Sequence, residues 1–230
     1  MGYVLGRRRG EAVLIVNFLR YLLLQVGIRT IVVLHDLTSA FPAISWAHSP
    51  QDRIVPSHRH RHAFFLSEDV DGATAAMRVL SGHRGGNGPA AQGFAKAFEM
   101  QAMAWCRAEA TPDDLRWLVA RCHFAARPVF LGRVLCADDL TRLLIVRSPR
   151  QATARVTRSL HTLDASMASH VLVQNRGRLQ TLPSSGGKGT VAWEQAVAGS
   201  LATAKVQKAV VREGKYLGVV MPGPILSIDA

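Results

Sequence analysis

Cys136-Ala137-Asp138-Asp139 is where this sequence concentrates chemistry. Apolar, β-prone residues flank it: Val129-Phe130-Leu131 and Val134-Leu135 before, Leu140 and Leu143-Leu144-Ile145-Val146 after. That pattern predicts a strand, a tight turn and a returning strand, with the acids at the tip. Adjacent carboxylates repel, a cost that a nearby cation would offset; the plain alternative is an exposed acidic turn. A hard ion such as Mg²⁺, which takes one or two carboxylates together with substrate phosphates, suits them. A third acid comes from Ile31-Val32-Val33-Leu34-His35-Asp36, a buried-strand pattern that delivers Asp36 at its C-terminal end. One acid facing an acid pair is the donor set of a two-metal centre, whose ions lie roughly 3.5–4 Å apart. Phosphoryl transfer is the chemistry expected.

The remaining elements must bring these acids together. Apolar Val13, Leu14, Val16, Phe18, Leu19, Leu22 and Leu23 predict a largely buried helix over 10–26. A turn and a short helix follow Asp36, and 42–56 reads as irregular. A strand near 63–66 and a short element over 74–80 precede a glycine-rich loop at 82–89 and a long helix over 90–108. Thr111 then caps a helix, with Pro112 at its first position, Asp113-Asp114 in its first turn, and continuation over 115–124. The helix dipole favours acids there, so this second Asp-Asp pair reads as structural. Residues 184–189 read as a loop, 192–211 as a helix, and a hairpin follows at Tyr216.

The motifs in order resemble those of reverse transcriptases. Asp36-Leu37-Thr38-Ser39-Ala40-Phe41 resembles the first palm motif of that family. Cys136-Ala137-Asp138-Asp139 looks like its aromatic-x-Asp-Asp hairpin, in the Ala-Asp-Asp form of non-LTR retrotransposons and group II introns. Arg84-Gly85-Gly86-Asn87-Gly88-Pro89 with Phe94 is similar to the Arg-Gln-Gly…Ser-Pro…Phe element. Asn175-Arg176-Gly177-Arg178 resembles Asn-x-x-Lys, and Lys215-Tyr216-Leu217-Gly218 the Tyr-Leu-Gly primer-grip hairpin. Gly6-Arg7-Arg8-Arg9-Gly10 looks like the basic finger segment before the first palm strand.

The resemblance implies an α+β fold: a polymerase palm, an antiparallel sheet backed by helices, with partial fingers and little or no thumb. It divides the chain into a finger remnant and helix (1–28), a palm (29–222) and a tail (223–230), a piece of a larger retroelement protein. The implied activity is RNA-directed DNA polymerisation: two-metal nucleotidyl transfer onto a primer 3′-hydroxyl. Asp36, Asp138 and Asp139 would be catalytic and would hold two Mg²⁺ ions. Phe41 would stand where an aromatic ring excludes a ribose 2′-hydroxyl. Arg84, Asn87 and Pro89 would border nucleotide and template, Arg178 the leaving pyrophosphate, and Tyr216 and Gly218 the primer. The partners implied are an RNA template, a DNA primer and deoxynucleoside triphosphates. Departures from the pattern keep an alternative open, a catalytically inactive nucleic-acid-binding remnant. Gly85 replaces Gln, Gly88 replaces Ser, Cys136 replaces an aromatic residue, and Arg178 replaces Lys, whose proton it would give up poorly.

Composition agrees with a nucleic-acid partner without requiring one. Lys and Arg number 28 against 16 Asp and Glu, a formal charge of +12 across 230 residues. Such an excess attracts phosphates, and equally aids solubility. Cys106, Cys122 and Cys136 form no disulfide or metal spacing, so a reducing intracellular compartment is expected, nuclear if the chain is part of a retroelement. Arg20 and Asn17 interrupt the apolar stretch after Arg7–Arg9, which argues against a signal peptide or a membrane anchor. His58-Arg59-His60-Arg61-His62 reads as a solvated basic loop, and Ser184 to Thr190 lacks phosphate-loop spacing. His35 is expected to pack.

Overall fold

Strand β1 (Thr30–Thr38) carries four consecutive apolar residues, Ile31 to Leu34, and all four are buried. Consecutive rather than alternating burial requires cover on both faces of the sheet. The computed structural model supplies it; it describes residues 9–38, 64–68, 74–78, 105, 108–121, 128–136, 139–168, 172–186, 189–204, 213–216 and 219–222. On one side β1 pairs with β7 (Asp139–Ile145), which pairs in turn with β6 (Arg133–Cys136). On its other side β1 pairs with β9 (Gln180–Ser184) along Thr30–Leu34 and with β8 (Val173–Gln174) at Leu37 and Thr38. Every pairing in this five-stranded sheet is antiparallel. Three further antiparallel pairs lie outside it: β2 (Phe64–Glu68) with β3 (Thr74–Arg78), β4 (Val119–Arg121) with β5 (Pro128–Phe130), and β10 (Glu213–Tyr216) with β11 (Val219–Pro222).

The described residues include four helices: α1 (Arg9–Gln25), α2 (Pro112–Trp117), α3 (Pro149–Ala168) and α4 (Thr190–Thr203). The chain is therefore a mixed α+β protein. Val32 and Leu34 point into a core shared with Val13, Val16 and Leu23 of α1, Leu182 of β9 and Met221 of β11. Ile31 and Val33 point into a second core with Val156 and Leu160 of α3 and Val197 and Leu201 of α4. Strand geometry alone assigns alternate residues of β1 to the two layers. Among the described residues, no helix is long and apolar enough to cross a membrane.

Helix α1 covers the expected span but buries less of itself than its composition suggests. Lying on one face of the sheet, it turns Val13, Val16, Arg20 and Leu23 inward, while Leu14, Phe18 and Leu22 are exposed. Arg20 completes the inward stripe because Ser184 Oγ accepts from its Nε at 3.2 Å and its Nη2 at 2.5 Å, and Asn17 Oδ1 from its Nη1 at 3.2 Å. Burial lowers its pKa to about 10, against the charge of Glu194, so it stays protonated at neutral pH. The helix stops at Gly27, whose φ of 72° suits glycine; Gly27 N–H donates to Leu24 O and Ile28 N–H to Leu23 O.

Helix α2 starts as expected and ends early. Thr111 Oγ1 accepts from Asp114 N–H at 3.2 Å, and Asp114 Oδ2 accepts from Thr111 N–H at 3.1 Å, a reciprocal cap with Pro112 in the first turn. The expected continuation over 115–124 is corrected. Leu118, wholly buried, ends the helix, and Val119–Arg121 leaves it to pair with Pro128–Phe130. Core burial of one leucine and a ladder for a β-branched residue outweigh the weak propensity to continue.

Helix α3 has no counterpart among the expected elements. Ser148 Oγ caps it by accepting from Gln151 N–H at 3.2 Å, Pro149 occupies its first position, and Ala152, Val156, Leu160, Leu163 and Met167 form its buried stripe. Its Arg155 reaches the buried Asp114. There Oδ1 accepts from Arg155 Nη1 at 3.0 Å, and Oδ2 pairs with Arg155 Nη2 and, at 3.5 Å, with Arg142 Nη2. Arg142 of β7 also donates to Glu109 Oε2 at 3.1 Å and Gly132 O at 3.2 Å. Burial would raise the pKa of Asp114; the two guanidiniums more than reverse it and hold the carboxyl below the ordinary range.

The β10–β11 hairpin depends on one close approach. A Cβ on Gly214 would lie 2.7 Å from Leu182 Cδ1 and 3.0 Å from Leu34 Cδ1, both in the core. Gly214→Ala should therefore cost about 1–3 kcal/mol, read as a lower urea midpoint at unchanged slope. An unchanged midpoint would mean that the hairpin does not press on the sheet.

Candidate functional site

The C-terminal end of β1 gathers several of the residues singled out in the sequence. In the β1–β7 ladder the Cα partner of Asp36 is Asp139, and in the β6–β7 ladder the partner of Cys136 is also Asp139. The strand bearing the first acid thus lies directly beside the strand that begins with the second. Asp138 and the side chain of Asp139 lie outside the described residues, as do Phe41, Arg84, Asn87, Pro89 and Gly218. Tyr216 ends β10, where its Cα partner is Val219.

Asp36 is held on its other side by the segment after β8. Asn175 N–H donates to Asp36 O at 2.8 Å, and Asn175 Nδ2 donates to Asp36 Oδ2 at 2.9 Å. Arg178 Nη1 lies 3.7 Å from the same Oδ2. The Asp36 side chain is 18% exposed and that of Arg178 74%, so a largely exposed guanidinium meets a partly buried carboxylate. Among the described residues, both side-chain contacts fall on Oδ2.

Local geometry explains how Asn175 and Arg178 reach one carboxylate. Arg176–Arg178 forms a single 3-10 turn, with Arg178 N–H donating to Asn175 O at 3.0 Å. Asn175 precedes that turn without capping it, which leaves its carboxamide to Asp36. The turn is tied down at both ends. Arg176 pairs with Asp164 of α3, and Leu179 is buried in the core. Gln174 Nε2 donates to Leu160 O at 2.7 Å and to Asp164 Oδ1 at 2.6 Å.

His35 sits behind Asp36 as a packed, neutral ring. Its Nδ1–H donates to Gln174 Oε1 at 3.0 Å, its Nε2 lies 3.5 Å from Ser159 Oγ, and Trp105 meets it edge-on at 5.3 Å. Burial lowers its pKa to about 4, the Gln174 bond and Asp164 oppose this, and the charge of Arg142 adds to it. The unfolded chain, with an ordinary histidine pKa near 6.5, therefore binds the proton that the fold refuses. Stability should fall as pH drops from about 6.5 to about 4, by about 3 kcal/mol in all. His35→Gln, still able to bond Gln174, should flatten that limb of a stability-against-pH profile. An unaltered limb would assign the acid sensitivity elsewhere.

Of two further residues that organise this site, Gln174 was not singled out in the sequence, and Asn175 only as the first residue of the Asn-x-x-Lys resemblance. Gln174 and Asn175 are consecutive carboxamides facing consecutive residues of β1, His35 and Asp36. The signal was present as an amide pair just before Arg-Gly-Arg, but its target is 139 positions away in sequence. Among the described residues, no group of three or more His, Cys, Asp or Glu is placed to hold a metal. At this end of β1 the described carboxylate is that of Asp36, partly buried between Asn175 and Arg178. No protein-family model matches the chain, and no curated protein matches it.

Proposed function

We propose that this chain is an RNA-directed DNA polymerase domain, a reverse-transcriptase palm of the non-LTR type. The observation that carries the reading is the register that sets Asp36 opposite Asp139. Opposed residues of an antiparallel ladder have Cβ atoms about 4.5–5.5 Å apart, and like charges there are destabilising. Such a pair is costly to the fold and useful to a cation. The antiparallel sheet backed on one face by α3 and α4 is compatible with a palm.

In this reading Asp36, Asp138 and Asp139 hold two Mg²⁺ ions. When bound, these would supply Lewis-acid activation of the primer 3′-hydroxyl and charge neutralisation on the triphosphate. The residues of the chain position and neutralise. Asn175 fixes the Asp36 carboxylate, and Arg178 stands beside it as a cation for the departing pyrophosphate. Arg84, Asn87 and Pro89 border the nucleotide and template, Phe41 the sugar, and Tyr216 and Gly218 the primer. The basic surface grips the RNA–DNA duplex by its backbone and shape.

The alternative, an inactive nucleic-acid-binding remnant, also has an observation in its favour. Arg178 is a guanidinium that neutralises Asp36 from 3.7 Å but gives up protons poorly. Primer extension on an RNA template with Mg²⁺ separates the two. The polymerase reading expects incorporation that Asp138→Ala abolishes. Template–primer binding without incorporation supports the remnant, and the absence of both removes the nucleic-acid reading altogether.

A further inference from the structure

We infer that Asn175 is the positioning residue of Asp36. Its carboxamide pins one carboxylate oxygen and so presents the other to a divalent cation. The inference rests on the polymerase reading above and deepens it, by giving the Asn175 contact a consequence for cation binding. Asn175 holds Asp36 twice, through its backbone N–H to Asp36 O at 2.8 Å and through Nδ2 to Oδ2 at 2.9 Å. The backbone bond ties the 175–178 turn to β1; the side-chain bond fixes how the carboxylate is turned. Among the described residues, Oδ1 takes neither contact. The neighbouring pair repeats the arrangement, with Gln174 orienting His35 at 3.0 Å.

Arg178 makes the orientation matter. Its guanidinium, 3.7 Å from Oδ2 and largely exposed, has several donors and could close on both oxygens of a freely turning carboxylate. Asn175 prevents this by occupying Oδ2 at the shorter distance. The two residues therefore act in opposite directions on cation affinity. Asn175 keeps the carboxylate available, and Arg178 competes for it.

Mn²⁺ titration of the full-length protein, followed by the free-ion electron paramagnetic resonance signal, tests this without turnover. Asn175→Ala should weaken Mn²⁺ binding by about 10–100-fold, the range for losing a partner that orients a ligand. Arg178→Ala should tighten it several-fold. Asn175→Gln, which keeps a carboxamide on a longer arm, should recover part of the loss. The cation-free melting temperature should change little, because alanine or glutamine at 175 retains the backbone N–H that bonds Asp36 O. Equal binding by wild type and Asn175→Ala, with Asp36→Asn lowering affinity, overturns the positioning role and leaves the metal site standing. Mn²⁺ binding insensitive to Asp36→Asn, or absent from the wild type, overturns both. Loss of affinity in both Asn175→Ala and Arg178→Ala points to a generally loosened turn and also overturns it.

Discussion

Asp36→Asn should reduce Mg²⁺-dependent primer extension by at least about a thousandfold, or about 4 kcal/mol of transition-state stabilisation, while leaving the protein folded. The two halves of that expectation have separate causes. The amide is nearly isosteric with the carboxylate, but it has no charge for a divalent ion and offers one oxygen in place of two. Stability moves little because two effects oppose each other. Asn175 loses a charge-assisted bond, and the repulsion expected between positions 36 and 139 is relieved. The net change should be within about 1 kcal/mol. Extension rates and a urea titration on the same preparation check both halves. Retained extension would remove Asp36 from the chemistry; an unfolded variant would show that the carboxylate is structural.

Asp114→Asn should have the opposite signature, a loss of about 3–5 kcal/mol in unfolding free energy, with no direct role in chemistry. Asp114 is buried between Arg155 and Arg142, caps α2, and accepts the Ile145 N–H at 3.4 Å. Neutralising it takes the carboxylate from the buried Arg155 guanidinium, which keeps the Ile145 carbonyl, while Arg142 keeps Glu109 and Gly132 O. The held-down pKa gives the pH dependence its sign. The stabilisation is fully present above the ordinary carboxylate range and is lost as pH falls through the lower folded value. Its window therefore lies below that of His35, and the two are separable in one profile. The neighbouring Asp113→Asn is the control. Asp113 pairs with Arg147 at the surface, and its loss should be nearly silent. A small effect at 114, or equal effects at both, would contradict the buried network.

These two acids show what could and could not be inferred before any coordinates. Thr111-Pro112-Asp113-Asp114 announces a helix start because capping is local chemistry, and the cap is there. That Asp114 also anchors Arg142 and Arg155 is a non-local fact, and nothing in its flanking residues carries it. Asp138-Asp139 reads as a hairpin because β-prone runs flank it, and β6 and β7 pair as that requires. The contact of Asn175 with Asp36 spans 139 positions and became visible only once β8 lay beside β1. Helix α3 was legible in principle from Ser148-Pro149 and the apolar spacing that follows. The end of α2 was not legible, because burial of Leu118 against the sheet decides it.

Iron-directed cleavage tests most directly whether acids distant in sequence share one cation site. With Fe²⁺ in place of Mg²⁺ and a peroxide–ascorbate source, hydroxyl radicals form at the bound ion and cut the nearest backbone. The site described above predicts cuts at 36–37, at 138–139 and near 175–178, all suppressed by excess Mg²⁺ and lost together in Asp36→Asn. Cuts confined to one of these segments, or unaffected by Asp36→Asn, would contradict a shared site and with it the polymerase assignment.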